Sequence, residues 1–193
     1  MESRKVTSYA LFAAFLIVLL GAGRGEAGDK DSVFPSYGAG PVEVRLYTDY
    51  FCPPCRKMES DAEAILKTHI RKGAIRLILV DIPIGKRTPL YARNFLYAIK
   101  ENNELDHALR VRNILQNAAA GKKVKTQEQI ETLFREKGIA FRVWDPKPVF
   151  NRYNDLIRAD KIKGTPACVV IKDGQKKIYE SDREILDALK SLP

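Results

Sequence analysis

The chain has 193 residues, with 33 Lys and Arg against 24 Asp and Glu, a net charge of +9 and three cysteines. Its length suits one domain behind a short leader, and neither an internal repeat nor a low-complexity tract interrupts it. The basic balance does not indicate nucleic acid, because no basic segment interleaved with aromatics stands out. Runs such as Gly121-Lys122-Lys123-Val124-Lys125 read as lysines on solvated helix faces, or as attraction for acidic partners or anionic lipid headgroups.

Arg4 and Lys5 precede an apolar stretch over 9–20, followed by Gly21, Ala22 and Gly23. That is the layout of a signal peptide over residues 1–27, with Gly25-Glu26-Ala27 as the cleavage site and Gly21-Ala22-Gly23 as its competitor. An uncleaved N-terminal membrane anchor is the alternative, although the run is short for a full span. On either reading the folded part is exported: periplasmic or otherwise extracytoplasmic, soluble after cleavage or tethered. Residues 28–40 are rich in Gly, Asp and Ser and read as a linker.

From residue 41 a domain begins. Val42, Val44 and Leu46 alternate with Glu43, Arg45 and Tyr47, the period of a strand. Then comes Tyr50-Phe51-Cys52-Pro53-Pro54-Cys55-Arg56-Lys57, and after it Met58, Ala62, Ile65, Leu66, His69 and Ile70 share one face of a helix that ends near Gly73. Pro53 suits the first helical turn, where a missing N–H costs nothing. Cys52 is therefore expected at a helix N-terminus, beside free N–H groups and the positive end of the dipole. Both lower a thiol pKa, and Arg56 and Lys57 add positive charge within a turn. Cys55, expected to be the more buried, can attack a mixed disulfide formed at Cys52, an arrangement suited to reversible thiol–disulfide exchange.

The apolar run within 74–83 reads as a central strand covered on both faces. Over 84–163 the pattern is helical. Thr88-Pro89 is expected to cap a first helix, Asp106 a second, Thr126 with Gln129 a third, and Asp145-Pro146 to open a fourth. Gly164-Thr165-Pro166-Ala167 then opens an apolar strand that turns at Asp173-Gly174, a hairpin signal. A second short strand follows, and Ser181 with Glu184 caps a last helix bearing Ile185, Leu186 and Leu189.

A Cys-x-x-Cys at a strand–helix junction, with a Thr-Pro before a late strand, resembles the thioredoxin fold. The order of elements over residues 41–193, and the stretch Tyr47-Thr48-Asp49-Tyr50-Phe51-Cys52-Pro53-Pro54-Cys55, is similar to its DsbA-like branch. The fold class implied is α/β, a thioredoxin fold with an inserted all-helical subdomain at about 84–163. The resemblance implies a cis Thr165–Pro166 bond packed against the sulfurs, with Thr165 offering backbone hydrogen bonds to an extended substrate. Tyr50 and Phe51, flanking the first cysteine, are expected to form an apolar platform for unfolded substrates.

The chain departs from the branch in two places. The dipeptide Pro53-Pro54 lacks the His of strong oxidases, which implies a less oxidising pair. The buried acid common six residues before the first cysteine is replaced by Leu46, leaving Asp49 and Glu43 as unranked substitutes.

Other readings compete at these residues. A structural disulfide is one, but closing so short a loop gains little. A metal site is another, but two sulfurs are too few for closed zinc coordination, and His69 and His107 read as a core and a surface residue. Cys168 leaves the cysteine count odd and reads as a small buried side chain, or as a third thiol near the pair or an intermolecular partner.

The expectation is an exported thiol:disulfide oxidoreductase of Cys52 and Cys55, with no cofactor. Its partners would be unfolded or cysteine-containing exported proteins and a membrane redox partner that recycles the pair. A monomer is expected, since no dimerisation segment precedes the catalytic part. A reductase for cytochrome c maturation and a non-enzymatic chaperone of the same fold are the alternatives.

Overall fold

A computed structural model describes residues 33–193. The expected signal peptide or anchor at 1–27, and the first part of the expected linker, lie outside the described residues. Five strands form one sheet: β1 (Ser36–Tyr37), β2 (Val42–Thr48), β3 (Ile75–Asp81), β4 (Ala167–Lys172) and β5 (Gln175–Tyr179), in the spatial order β1-β3-β2-β4-β5. Six helices accompany them: α1 (Pro53–Arg71), α2 (Thr88–Glu101), α3 (Leu105–Gly121), α4 (Gln127–Glu136), α5 (Lys147–Asp160) and α6 (Asp182–Lys190).

The sheet follows from the apolar runs. β2 and β3 pair in parallel, from Val42 opposite Ile75 to Thr48 opposite Asp81, with α1 as their crossover. Every residue of β3 except Arg76 is buried, as a strand covered on both faces requires. β4 lies antiparallel on the other side of β2, placing Cys168 opposite Leu46 and Ala167 opposite Tyr47. Asp173 and Gly174 both take positive φ, at 51° and 74°, giving the tight hairpin to β5.

The linker expectation for 28–40 needs correction over its described part. Ser36 and Tyr37 form an edge strand antiparallel to β3, and Tyr37 is buried. The glycines that suggested a linker serve close approach instead. A Cβ at Gly40 would lie 2.2 Å from the carbonyl carbon of Ala74, and one at Gly38, whose φ is +78°, would lie 2.6 Å from Ile75 O.

The four inserted helices run between β3 and β4, where the helical periodicity placed them. Thr126 and Gln129 form the expected reciprocal capping box. Two other caps differ. Arg87 takes the cap position of α2, and the Thr88 hydroxyl turns away to donate to Asp49. Glu104 precedes α3, leaving Asp106 in its first turn. Side chains of the inserted helices, including Phe95, Leu115, Phe134 and Tyr153, join the core of the sheet, so one apolar interior runs through both parts. Among the described residues, no helix is long and apolar enough to cross a membrane.

Candidate active site

The end of β2 carries the chain into a short loop and then into α1. Asp49 shapes that loop: one carboxylate oxygen accepts from Phe51 N at 2.6 Å, the other from the Thr88 hydroxyl, and Asp49 O accepts from Cys52 N at 3.2 Å. Cys52 is thereby set at the N-cap of α1 with extended backbone angles, φ −94° and ψ 107°. Its carbonyl accepts from Arg56 N and its sulfur accepts from Cys55 N, each at 3.2 Å. Pro53 and Pro54 fill the first positions, where the helix has no use for an N–H. Local bonds, together with the Thr88 hydroxyl, thus seat a sulfur on a helix N-terminus, where a thiolate is stabilised over a thiol.

Cys52 and Cys55 are joined as a disulfide with a Cα separation of 5.3 Å. They differ in access: Cys55 is fully buried and Cys52 half-buried. The Thr165–Pro166 peptide bond is cis, and Thr165 O lies 3.7 Å from Cys52 Sγ. Pro166 is buried, while Thr165 keeps part of its surface and its hydroxyl has no hydrogen-bond partner. Residues more than a hundred positions apart therefore meet at one sulfur.

The approach to that meeting point is pinned from below. Asp160, the last residue of α5, is buried and receives Arg45 Nη1 on both oxygens at 3.0 and 2.8 Å, Lys176 Nζ at 2.5 Å, and the Tyr47 hydroxyl. Burial alone would raise its pKa, but the bonds from Lys176, Tyr47 and Arg45 outweigh it and hold the carboxyl below its ordinary range. Cys168, two residues beyond Pro166, is free and fully buried, and desolvation pushes its thiol up to about 12. A thiol so held is protonated and unreactive at neutral pH.

The expected aromatic platform is reduced to one ring. Tyr50 is 1 % exposed and its hydroxyl donates to Asp81 Oδ2 at 3.0 Å, so it presents no surface to a bound chain. Phe51 is half-buried, its ring edge-on to Tyr91 with centroids 4.9 Å apart and the Arg87 guanidinium 5.1 Å from its own centroid. Ile84, in the loop after β3, is 61 % exposed, and the neighbouring Gly85 approaches the Phe51 ring. Of the two substitutes for the missing acid, Glu43 is engaged by Arg45 and Arg76 at the far end of β2. Asp49 spends both carboxylate oxygens on the loop.

The largest feature that periodicity alone passes over lies behind the disulfide. Arg112 of α3 is 1 % exposed. Its Nε and Nη2 donate to the two oxygens of Glu59 at 2.7 and 2.9 Å, its Nη1 to Asp81 Oδ1 at 2.8 Å and to the Tyr50 hydroxyl at 3.3 Å, and its Nη2 also to the Thr48 hydroxyl at 2.6 Å. Those five bonds use the whole donor set of a guanidinium. Its carbon also sits 5.1 Å from the Tyr50 ring centroid and 5.2 Å from that of Phe95. Burial opposes the charge of Arg112, but Glu59 and Asp81 outweigh it and hold the pKa well above the usual range. For Asp81 burial prevails, and its carboxyl stands above the ordinary value despite Arg112. The signal was present: Ala108, Val111, Leu115 and Ala119 mark the buried stripe of α3, and Arg112 falls within it.

A family model described as Thioredoxin matches residues 37–190. Among solved structures, a periplasmic thioredoxin-like protein from Salmonella enterica serovar Typhimurium superimposes with a TM-score of 0.59 at 22% identity, covering 81% of this chain and 87% of that one. A putative protein-disulfide isomerase from Pseudomonas syringae gives a TM-score of 0.63 at 14% identity, covering 80% and 96%. Wolbachia pipientis alpha-DsbA1 gives 0.60 at 13% identity, covering 82% and 90%. No curated protein matches the chain in sequence.

Proposed function

The chain belongs to the thioredoxin family, and on that premise we propose that it is a DsbA-like thiol:disulfide oxidoreductase. It forms or exchanges disulfides in cysteine-containing proteins outside the cytoplasm through Cys52 and Cys55. One observation carries the reading. The half-buried Cys52 sulfur sits on the N-terminus of α1, accepts from Cys55 N at 3.2 Å and lies 3.7 Å from the carbonyl of Thr165.

The chemistry follows from that position. In the reduced state the Cys52 thiolate attacks one sulfur of a substrate disulfide; a Cys52–substrate bond forms and the substrate's other sulfur leaves. The Cys55 thiol loses its proton and attacks Cys52 Sγ, the internal disulfide closes, and the substrate departs with both electrons. The reverse sequence oxidises a substrate dithiol. Thr165 and Pro166 hold an extended substrate beside Cys52, with Phe51 and Ile84 as apolar contacts. Pro53 and Pro54 bring no side-chain donor to the thiolate, which supports a couple milder than one stabilised from the dipeptide. A membrane redox partner resets the pair. The lysine- and arginine-flanked N-terminal apolar stretch supports export, and the Salmonella relative is described as periplasmic. The test is capture: a Cys55→Ser variant should hold its partners as mixed disulfides at Cys52, separable on a non-reducing gel.

A further inference from the structure

Three segments border the redox pair: the loop and first turn of α1 over 49–58, the loop from β3 into α2 over 82–88, and the approach to the cis bond over 161–166. Together they carry Arg56, Lys57, Lys86, Arg87, Lys161 and Lys163, and Asp49 is their only carboxylate. Asp49 is buried, and both its oxygens are committed to Phe51 N and the Thr88 hydroxyl. Lys57 reaches Asp182 at 3.8 Å, an exposed and therefore weak pair. Among the described residues, none of the other cations pairs with a carboxylate. The basic excess of the sequence is thus concentrated, without compensation, around the attacking sulfur.

Arg87 is the best placed of these cations. It is half-buried, its guanidinium carbon lies 5.1 Å from the centroid of the Phe51 ring, and Phe51 immediately precedes Cys52. Its loop is fitted to that ring: a Cβ on the neighbouring Gly85 would lie 3.7 Å from Phe51 Cδ2. Its Nη1 is covered and bonds to nothing among the described residues. A charge drawn partly out of water with no acceptor is costly, and such groups are explained by what they are built to meet. On the other side of the sulfur, Lys163 stands two residues before Thr165, with its Cα within about 8 Å of that residue's.

We propose, resting on the function assigned above, that Arg87 is a specificity residue: with Lys86, Lys161 and Lys163 it selects protein segments that carry Asp or Glu close to the reactive cysteine. An extended substrate advances about 3.3 Å per residue, so positions about two to four residues from its bonded cysteine pass the stack of Phe51 and Arg87. A carboxylate there meets an unpaired guanidinium, and a lysine there meets like charge on both sides of the sulfur. Complementary charge of this kind sorts partners and speeds encounter more than it deepens affinity.

The test offers the reduced full chain three short peptides, alike except for Asp, Gln or Lys flanking a single cysteine held as a disulfide with the neutral chromophore 2-thiopyridine. The Cys52 thiolate attacks the peptide sulfur, the Cys52–peptide bond forms, and thiopyridine leaves with the electron pair of the broken bond. Each rate is divided by that of mercaptoethanol with the same peptide, which removes the peptide's own reactivity. At low ionic strength the Asp peptide should outpace the Lys peptide at least about fivefold, and the ratio should shrink toward one in ~0.5 M salt. Arg87→Gln should cut that ratio at least about twofold, and Arg87→Glu should cut it further. A charge that served only the Cys52 thiolate, or only the stack on Phe51, would move all three rates alike and leave the ratio unchanged. A wild-type ratio within about twofold at low salt overturns the proposal with no variant needed, even if the basic rim then binds phosphatidylglycerol vesicles. So does an unchanged ratio in a folded Arg87→Gln protein. Rates no faster than those of mercaptoethanol with every peptide would overturn the assigned function; fast but equal rates remove only this inference.

Discussion

Replacing Arg112 by Met tests what holds the inserted helices to the sheet. Methionine keeps much of the length and the apolar contact with Tyr50 and Phe95, but removes five hydrogen bonds and the cation that pairs with Glu59 and Asp81. Both carboxylates remain in the interior, 8 % and 3 % exposed. Breaking a buried pair from one side costs about 3–5 kcal/mol, because a charge is left without compensation. Against a total stability of about 5–15 kcal/mol that is a large share, and for a domain of this size it lowers Tm by about 6–20 °C. Circular dichroism melts of the oxidised protein measure it.

The pH dependence carries the sign. Without Arg112, burial acts on the Asp81 carboxyl unopposed and holds it further above its unfolded pKa, so the stability that its protonated form contributes is present below the unfolded pKa and is lost as pH rises through the folded one. The gap to wild type should be widest at neutral pH and should narrow toward pH ~4. A neutral-pH Tm within about 2 °C of wild type, or a gap that widens on acidification, refutes the reasoning.

Asp160→Asn should also show a stability loss that depends on pH. Its carboxyl is held below the ordinary range in the fold, so its contribution is present above the unfolded pKa and lost as pH falls through the folded one. The variant should lose about 1–3 kcal/mol at neutral pH, read as a denaturant midpoint, and approach wild type in acid; an equal deficit at both pH values contradicts this. Cys168 should resist iodoacetamide in the reduced native protein at mildly alkaline pH and react on unfolding, since burial holds its thiol at about 12. Native alkylation at a rate like that of Cys52 would contradict the burial.

What could be read from the sequence was whatever has a period or a local signature. The alternation of Val42, Val44 and Leu46, the proline-led start of α1, the Thr126–Gln129 box and the Asp173-Gly174 turn each express physics within a few residues. Together they placed both cysteines at a strand–helix junction. Edge strand β1 escaped because two residues of strand have no period, and because Gly38 and Gly40 look like flexibility when they in fact allow backbone to lie against backbone. Tyr50 was misjudged as a platform because nothing local says which way an aromatic before a cysteine turns; Asp81 and Arg112, 31 and 62 residues away, decide it. The Glu59–Arg112–Asp81 cluster unites three elements, so no window of sequence contains it. Its only local trace is a charge inside an apolar stripe.

The function rests on Cys52 being an attacking sulfur rather than half of a structural staple. The most direct measurement expresses the full chain as Cys55→Ser and as Cys52→Ser and identifies by mass spectrometry what each holds after thiol quenching. Covalent adducts of cysteine-containing proteins at Cys52, released by reductant and missing from the Cys52→Ser sample, are the predicted result. Equal, adduct-free protein from both variants would contradict it.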